Sequence, residues 1–198
     1  MNTICVCGLG AIGSNLIVQL SEHYPSYNFI GVDFDVVEER NIKTQAYFIS
    51  HIGQSKTQSM FSVFSTKHRK INYKGIKRKI VSIEDLGLIR TNYPSEKYLY
   101  IDCFDNIESR KLFSDLRKED ACLHIGFSPQ FSAEIIWHEE YDVPGEMDPA
   151  GPDICTLDEA SSFITFVVSF GSMVIDNFLK ENRKESFIIK NKYNIIKL

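Results

Sequence analysis

The sequence predicts an α/β fold in which a mainly parallel sheet carries helices on both faces, and it assigns residues 1–198 to a single domain. Short β-prone runs alternate with amphipathic helical stretches, the pattern of a parallel sheet with crossover helices. A glycine-rich turn joins the first strand to the first helix. A chain of 198 residues, 43% of them hydrophobic, also has the size and composition of one globular domain.

The elements follow from local composition and periodicity. Thr3–Cys7 is a β-prone run that stops at the glycines, and Tyr27–Asp33 is a second strand after an amphipathic helix. The later elements are helices at Gln54–Lys67, Ile107–Lys118 and Leu157–Lys180 and strands at Asn72–Ile80, Tyr98–Asp102, Ala121–Phe127 and Phe131–His138. We expect residues 36–51 to be irregular and residues 139–154, with three prolines and two glycines, to form a loop.

Composition excludes several classes of protein. The formal net charge of −4 argues against a general nucleic-acid binder. The longest apolar run is shorter than the ~18 residues of a membrane span, and the N-terminus lacks the basic region of a signal peptide. Five cysteines without a Cys-x-x-Cys pair fit neither a disulfide framework nor a structural zinc site. We therefore expect a cytoplasmic protein with reduced thiols.

The glycine turn predicts a nucleotide site. Gly8, Gly10 and Gly13 stand in Gly-x-Gly-x-x-Gly spacing between a strand and a helix, where backbone N–H groups and the helix N-terminus meet a phosphate, as in Rossmann-like folds. Asp33 lies twenty positions beyond Gly13, at the end of the second strand, where an acid can bind ribose hydroxyls. These residues alone do not separate ATP from NAD.

Further motifs occur in a fixed order along the chain. Ser14-Asn15 continues the glycine turn, and Asp35, Asn41 and Gln45 follow the second strand. Lys56 lies in the next predicted helix, and Asp102-Cys-Phe-Asp105-Asn106 ends another strand before Arg110. From Ile4 to Leu179 this order resembles the ThiF/MoeB/HesA family of ubiquitin-activating-enzyme-like adenylyltransferases. The resemblance implies that ATP and Mg²⁺ are used to activate the C-terminal glycine of a ubiquitin-like or sulfur-carrier β-grasp protein as an acyl-adenylate.

The resemblance also implies roles for individual residues. Lys56 matches the lysine that contacts the phosphates, Asp105 matches the carboxylate that holds Mg²⁺, and Cys155 matches a cysteine that accepts the activated protein in some members. The residues implied in nucleotide binding are Gly8, Gly10, Gly13, Ser14, Asn15, Asp33, Asp35, Asn41, Gln45, Lys56, Asp105 and Asn106. The ordinary alternatives are a surface lysine at 56, a helix N-cap at Asp105-Asn106 and a packing role for Cys155.

One departure keeps other functions open. Thr44 stands where the family usually has an arginine, so a cation expected to stabilise transition-state charge is missing. A non-catalytic family member that binds nucleotide and a partner protein is therefore one alternative. An NAD(P)-dependent oxidoreductase is another, although it gives Lys56 and Asp105 no role. The apolar helix near the C-terminus also predicts a homodimer.

Overall fold

The computed structural model describes residues 2–66, 71–116, 120–128, 130–143, 157, 159–190 and 193–198. Cys155 lies outside these described residues. Within them the elements are β1 (Asn2–Cys7), α1 (Ala11–His23), β2 (Asn28–Asp33), α2 (Lys56–Thr66), β3 (Asn72–Lys77), α3 (Ile83–Asn92), β4 (Lys97–Asp102), α4 (Ile107–Leu116), β5 (Ala121–Phe127), β6 (Ala133–Trp137), α5 (Ala160–Glu181), β7 (Phe187–Lys190) and β8 (Asn194–Lys197). Two short 3-10 helices, Glu39–Asn41 and Ile49–His51, interrupt the otherwise irregular segment after β2.

The strands form one sheet in the order β3-β2-β1-β4-β5-β6-β7-β8. The first five strands are parallel, and β6, β7 and β8 continue the sheet as antiparallel neighbours. The predicted α/β fold is confirmed. The order reverses between β1 and β4, and ligands of open α/β sheets bind beyond the carboxyl ends of the strands at such a reversal.

Helices cover both faces of the sheet, as predicted. On one face β1 contributes Ile4 and Val6, which lie in a buried core with residues of α1, α2 and α5. On the other face β1 contributes Cys5 and Cys7, which lie in a second core with residues of α3 and α4, including Phe113. The alternation of side chains along β1 thus divides its residues between two cores.

Helix α5 has 22 residues, and nine of them are buried. Its buried residues contact α1 and the sheet, whereas Ser162, Thr165 and Ser169 lie on the exposed side. By length and composition alone α5 could cross a bilayer, but a helix in the core of a protein has the same composition. The packing accounts for the buried part of this apolar surface, and the homodimer through this helix stays a prediction.

Three elements are missing from the sequence prediction. Helix α3 has ten residues, only two of them buried, so its apolar periodicity is weak. Strands β7 and β8 have four residues each and belong to an antiparallel hairpin that the alternation of strands and helices does not indicate. β3 ends at Lys77 rather than at Ile80. It is an edge strand, and the lysines along it discourage pairing with other chains.

Candidate functional site

The glycine turn is built from two glycines that the backbone requires and one that faces open space. Gly8 has φ +91°, and a Cβ there would lie 2.8 Å from the carbonyl oxygen of Cys103. A Cβ on Gly13 would lie 1.8 Å from the carbonyl oxygen of Gly8. A Cβ on Gly10 would meet no atom within 4 Å. Gly10 precedes α1, so a ligand can approach the helix N-terminus over this residue.

Asp33 fixes the shape of this turn. One carboxylate oxygen accepts the backbone N–H of Leu9 at 2.7 Å, and the other accepts that of Asp35 at 2.8 Å. Burial raises the pKa of Asp33, and the ammonium group of Lys56, 3.9 Å away, offsets part of that rise. The acid predicted to bind ribose therefore holds the backbone of the glycine turn and of the segment after β2.

A cleft of about 780 Å³ opens at the carboxyl ends of the parallel strands, where Gly8 and Gly10 line it. The described residues that line it with charged, amide or hydroxyl side chains are Asp33, Asp35, Arg40, Asn41, Gln45, Lys56, Lys79, Asp105, Asn106, Glu108, Ser109 and Arg110. A smaller groove of about 510 Å³ lies between α1 and α5, away from these strand ends. Most of the predicted nucleotide-binding residues thus meet in the larger cleft.

Lys56 is buried, so the interpretation of a surface lysine is wrong. It is the first residue of α2, and its side chain is 9% exposed. Its Nζ lies 3.1 Å from Asp35 Oδ2, and the carboxylate of Asp35 is half-exposed. A phosphate that approached Lys56 would compete with Asp35 for the ammonium group.

Asn41 and Gln45 line the cleft from the irregular segment after β2. The side-chain oxygen of Asn41 accepts the N–H of Glu38 at 2.9 Å, which closes the first 3-10 helix. The side-chain oxygen of Gln45 is buried and accepts no hydrogen bond from the residues that the structure describes. Because a buried acceptor without a partner is costly, Gln45 is suited to a donor group of a ligand.

Gly13, Ser14 and Asn15 do not line the cleft. The Ser14 hydroxyl accepts the N–H of Ala46 at 3.1 Å, and Asn15 donates to the carbonyl oxygen of Thr44 at 2.9 Å. These two side chains therefore tie α1 to the segment that carries Asn41 and Gln45. Thr44 itself is buried.

Asp105 and Asn106 have different positions in the loop between β4 and α4. The side-chain oxygen of Asn106 accepts the N–H of Ser109 at 2.9 Å, which is the N-cap bond considered above. The carboxylate of Asp105 is exposed in the cleft. It is the acidic side chain of this loop that is available to a cation.

The donor set fits Mg²⁺ shared with a nucleotide. Within the described part of the chain, no group of three His, Cys, Asp or Glu residues could hold a metal ion alone. Mg²⁺ is usually held by one or two carboxylates together with substrate phosphates and water. Asp105, at the mouth of the glycine turn, suits that arrangement.

Three further cationic residues line the cleft beside Lys56. Arg40, close in sequence to Thr44, lies 2.5 Å from the carboxylate of Glu38. Lys79 lies over the ring of Phe34 at 5.7 Å from its centroid. Arg110 donates from Nε to the carbonyl oxygen of Phe104 at 2.9 Å.

Sequence reasoning missed a buried carboxylate and two histidines beneath this cleft. Asp102, His124 and His138 are each 0% exposed. Asp102 Oδ2 lies 3.1 Å from His124 Nδ1 and 3.4 Å from His138 Nε2. A histidine inside the apolar run of β5 is the sequence signal that could have indicated the pairing. Cys103, in the same motif as Asp102, is half-buried and also lines the cleft.

Comparisons with known proteins agree with this geometry. The profile of the ThiF family matches residues 2–128. The structure of E. coli MccB with ATP has a TM-score of 0.73 at 14% identity, over 99% of this chain and 63% of that one. The structure of E. coli MccB with selenomethionine MccA has a TM-score of 0.72 at 16% identity, over 99% of this chain and 63% of that one. The structure of PaaA has a TM-score of 0.72 at 11% identity, over 100% of this chain and 64% of that one.

At these identities the similarity to solved structures shows the fold. The chain spans less than two thirds of the length of MccB or PaaA. No curated protein sequence matches it.

Proposed function

Because the chain belongs to the ThiF family, we propose that it is an ATP-dependent adenylyltransferase that activates the C-terminal carboxylate of a partner polypeptide. The observation that carries the proposal is the convergence of the glycine turn, Lys56 and Asp105 on one cleft. Adenylation joins a carboxylate to AMP and releases pyrophosphate, so the site must bind phosphates and neutralise their charge. The solved structure of MccB with ATP supports ATP as the nucleotide.

Each part of the cleft has a task in this proposal. The N-terminus of α1 and the backbone of the turn at Gly10 bind phosphate oxygens, and Lys56 neutralises them after releasing Asp35. Asp105 holds Mg²⁺, which when bound would offset the negative charge of the phosphates. The amide of Gln45 offers its unpartnered oxygen to a donor group of the nucleotide or the acyl substrate.

For the partner, we propose a ubiquitin-like or sulfur-carrier β-grasp protein with a C-terminal glycine. Structures of MccB with MccA support a polypeptide partner for this fold in general terms. The second step of the proposal is attack of the Cys155 thiol on the acyl-adenylate, which forms a thioester and releases AMP. It rests on the sequence position of that cysteine.

A nucleotide-binding but non-catalytic protein is the second candidate, favoured by one observation. Lys56 is already paired with Asp33 and Asp35, and Thr44 provides no cation in place of the family arginine. Such a protein would bind ATP and partner without pyrophosphate exchange. Exchange activity with a carrier protein therefore separates the two candidates.

The test compares nucleotides and two neighbouring carboxylates. Calorimetric titration of the purified chain should show binding of ATP with Mg²⁺ and none of NADH. Asp105→Asn should lower the affinity for Mg·ATP by about 10-fold, because the carboxylate is the proposed metal ligand. Glu108→Gln, an exposed carboxylate of the same cleft, is the matched control and should leave that affinity unchanged.

Either of two results would contradict the proposal. Binding of NADH without binding of ATP would reverse the choice of nucleotide. Equal Mg·ATP affinities of wild type and Asp105→Asn would remove the role of Asp105.

A further inference from the structure

Residues in the cleft and beneath it form a closed ring of contacts. Asp102 Oδ1 accepts the backbone N–H of Phe104 at 3.0 Å, and the carbonyl oxygen of Phe104 accepts Arg110 Nε at 2.9 Å. Arg110 Nη1 donates to the Tyr141 hydroxyl at 3.4 Å. The Tyr141 ring stacks on His124 with centroids 4.3 Å apart, and His124 Nδ1 lies 3.1 Å from Asp102 Oδ2. We call these five residues the Asp102 ring.

The ring holds both backbone polar groups of Phe104, the residue directly before Asp105. Asp102 fixes the N–H and Arg110 fixes the carbonyl oxygen, so the loop has little freedom at this position. The four side chains that make these contacts come from β4, α4, β5 and the segment after β6, so the loop is tied to two strands, one helix and that segment. The position of the Asp105 carboxylate consequently depends in part on Asp102, His124 and Tyr141, which do not line the cleft themselves.

His124 is the member that orients the buried carboxylate. A hydrogen bond from Nδ1 to Asp102 requires the Nδ1–H form of the imidazole or its protonated form. Burial acts to raise the pKa of Asp102, but His124 and His138 together outweigh burial and lower that pKa far below its usual range. Because the ionised carboxylate has four lone-pair sites, it can hold His124, His138 and Phe104 at the same time.

Gly126 leaves space beside His124 because it has no side chain. A Cβ on Gly126 would lie 2.7 Å from His124 Nε2 and 3.6 Å from Arg110 Nη2. Gly126 lines the cleft, so the absence of a side chain there lets the imidazole and the guanidinium lie directly under the cleft floor. Glu134, whose carboxylate lies 3.9 Å from His124 Nε2, is outside hydrogen-bond distance.

We propose that His124 is a positioning residue that acts through Asp102 to fix the loop carrying Asp105 in the geometry that Mg·ATP binding requires. This inference rests on the proposed function, in which Asp105 is the metal ligand. Residues behind the ligands of a metal typically change metal affinity by 10–100-fold when they are replaced. The magnesium-dependent part of ATP affinity should therefore depend on His124.

The experiment measures ATP affinity by calorimetry with MgCl₂ and with EDTA, and their ratio is the magnesium enhancement. His124→Leu should lower the enhancement by about 10-fold and leave the EDTA affinity unchanged. His124→Asn should restore most of it, because the amide N–H can replace the Nδ1–H donor to Asp102. Glu134→Gln, next to the imidazole but outside the ring, is the control and should match wild type.

The outcomes separate this inference from the proposed function. A wild-type protein that does not bind ATP would overturn the proposed function and this inference with it. If the wild type binds ATP, two results would overturn the inference alone. One is an unchanged magnesium enhancement in His124→Leu, and the other is an equal loss of ATP affinity with MgCl₂ and with EDTA. If His124→Leu fails to fold, Tyr141→Phe decides, since it removes only the hydroxyl that Arg110 contacts. An unchanged enhancement in that variant would overturn the role of the ring.

Discussion

Replacing Asp33 by asparagine tests whether this acid shapes the glycine turn. Its two carboxylate oxygens accept the N–H groups of Leu9 and Asp35. Asparagine keeps one acceptor oxygen and turns an NH₂ group toward the second donor. Because the side chain of Asp33 is 7% exposed, water does not replace the lost acceptor.

The expected cost is about 1–2 kcal/mol. A buried donor left without an acceptor costs about 1–3 kcal/mol. Burial raises the pKa of Asp33, so the neutral asparagine avoids part of the desolvation penalty of the carboxylate, which lowers the net cost. For a chain of this size, each kcal/mol corresponds to about 2–4 °C in Tm.

The assay is thermal unfolding followed by circular dichroism at pH 7, with Asp35→Asn as the matched control. Asp35 also contacts Lys56, but its side chain is 49% exposed, so the control should cost less than about 1 kcal/mol. If Asp33→Asn is as stable as wild type, or if Asp35→Asn costs as much, Asp33 does not hold the turn and its primary role is contact with a ligand.

Two further predictions concern the turn and the buried carboxylate. Gly13→Ala should prevent stable folding, because its Cβ would lie 1.8 Å from the Gly8 carbonyl oxygen. Gly10→Ala should fold and lose ATP affinity. Solubility and Tm report the folding of the two variants, and calorimetry reports the ATP affinity. The lowered pKa of Asp102 stabilises the fold above the unfolded value of about 3.9. This contribution is lost as pH falls through the folded pKa. The free energy of unfolding, measured in urea from pH 6 to 3, should therefore fall less steeply with pH for Asp102→Asn than for wild type.

The sequence predicts those parts of the site that carry a local signature. The glycines, Asp33 and Lys56 follow from spacing and family resemblance, and the cleft brings Gly8, Gly10, Asp33 and Lys56 together. Asp102 and His124 could not be paired from the sequence, because their contact depends on the parallel register of β4 and β5, which places them opposite each other. Ser14 was expected to contact nucleotide but bonds to the backbone of Ala46, since helical spacing does not reveal which neighbour a side chain meets.

The charge of the cleft gives magnesium a larger part in the proposed reaction than Thr44 alone would suggest. Its described lining holds four cationic side chains and four acidic ones, so the site is close to neutral before a ligand arrives. Lys56 and Arg40 are already paired with carboxylates, so a triphosphate must displace these partners or bring its own cation. Since binding Mg²⁺ at Asp105 adds positive charge without breaking those pairs, ATP affinity here should depend on magnesium through Asp105 more than on any single basic side chain.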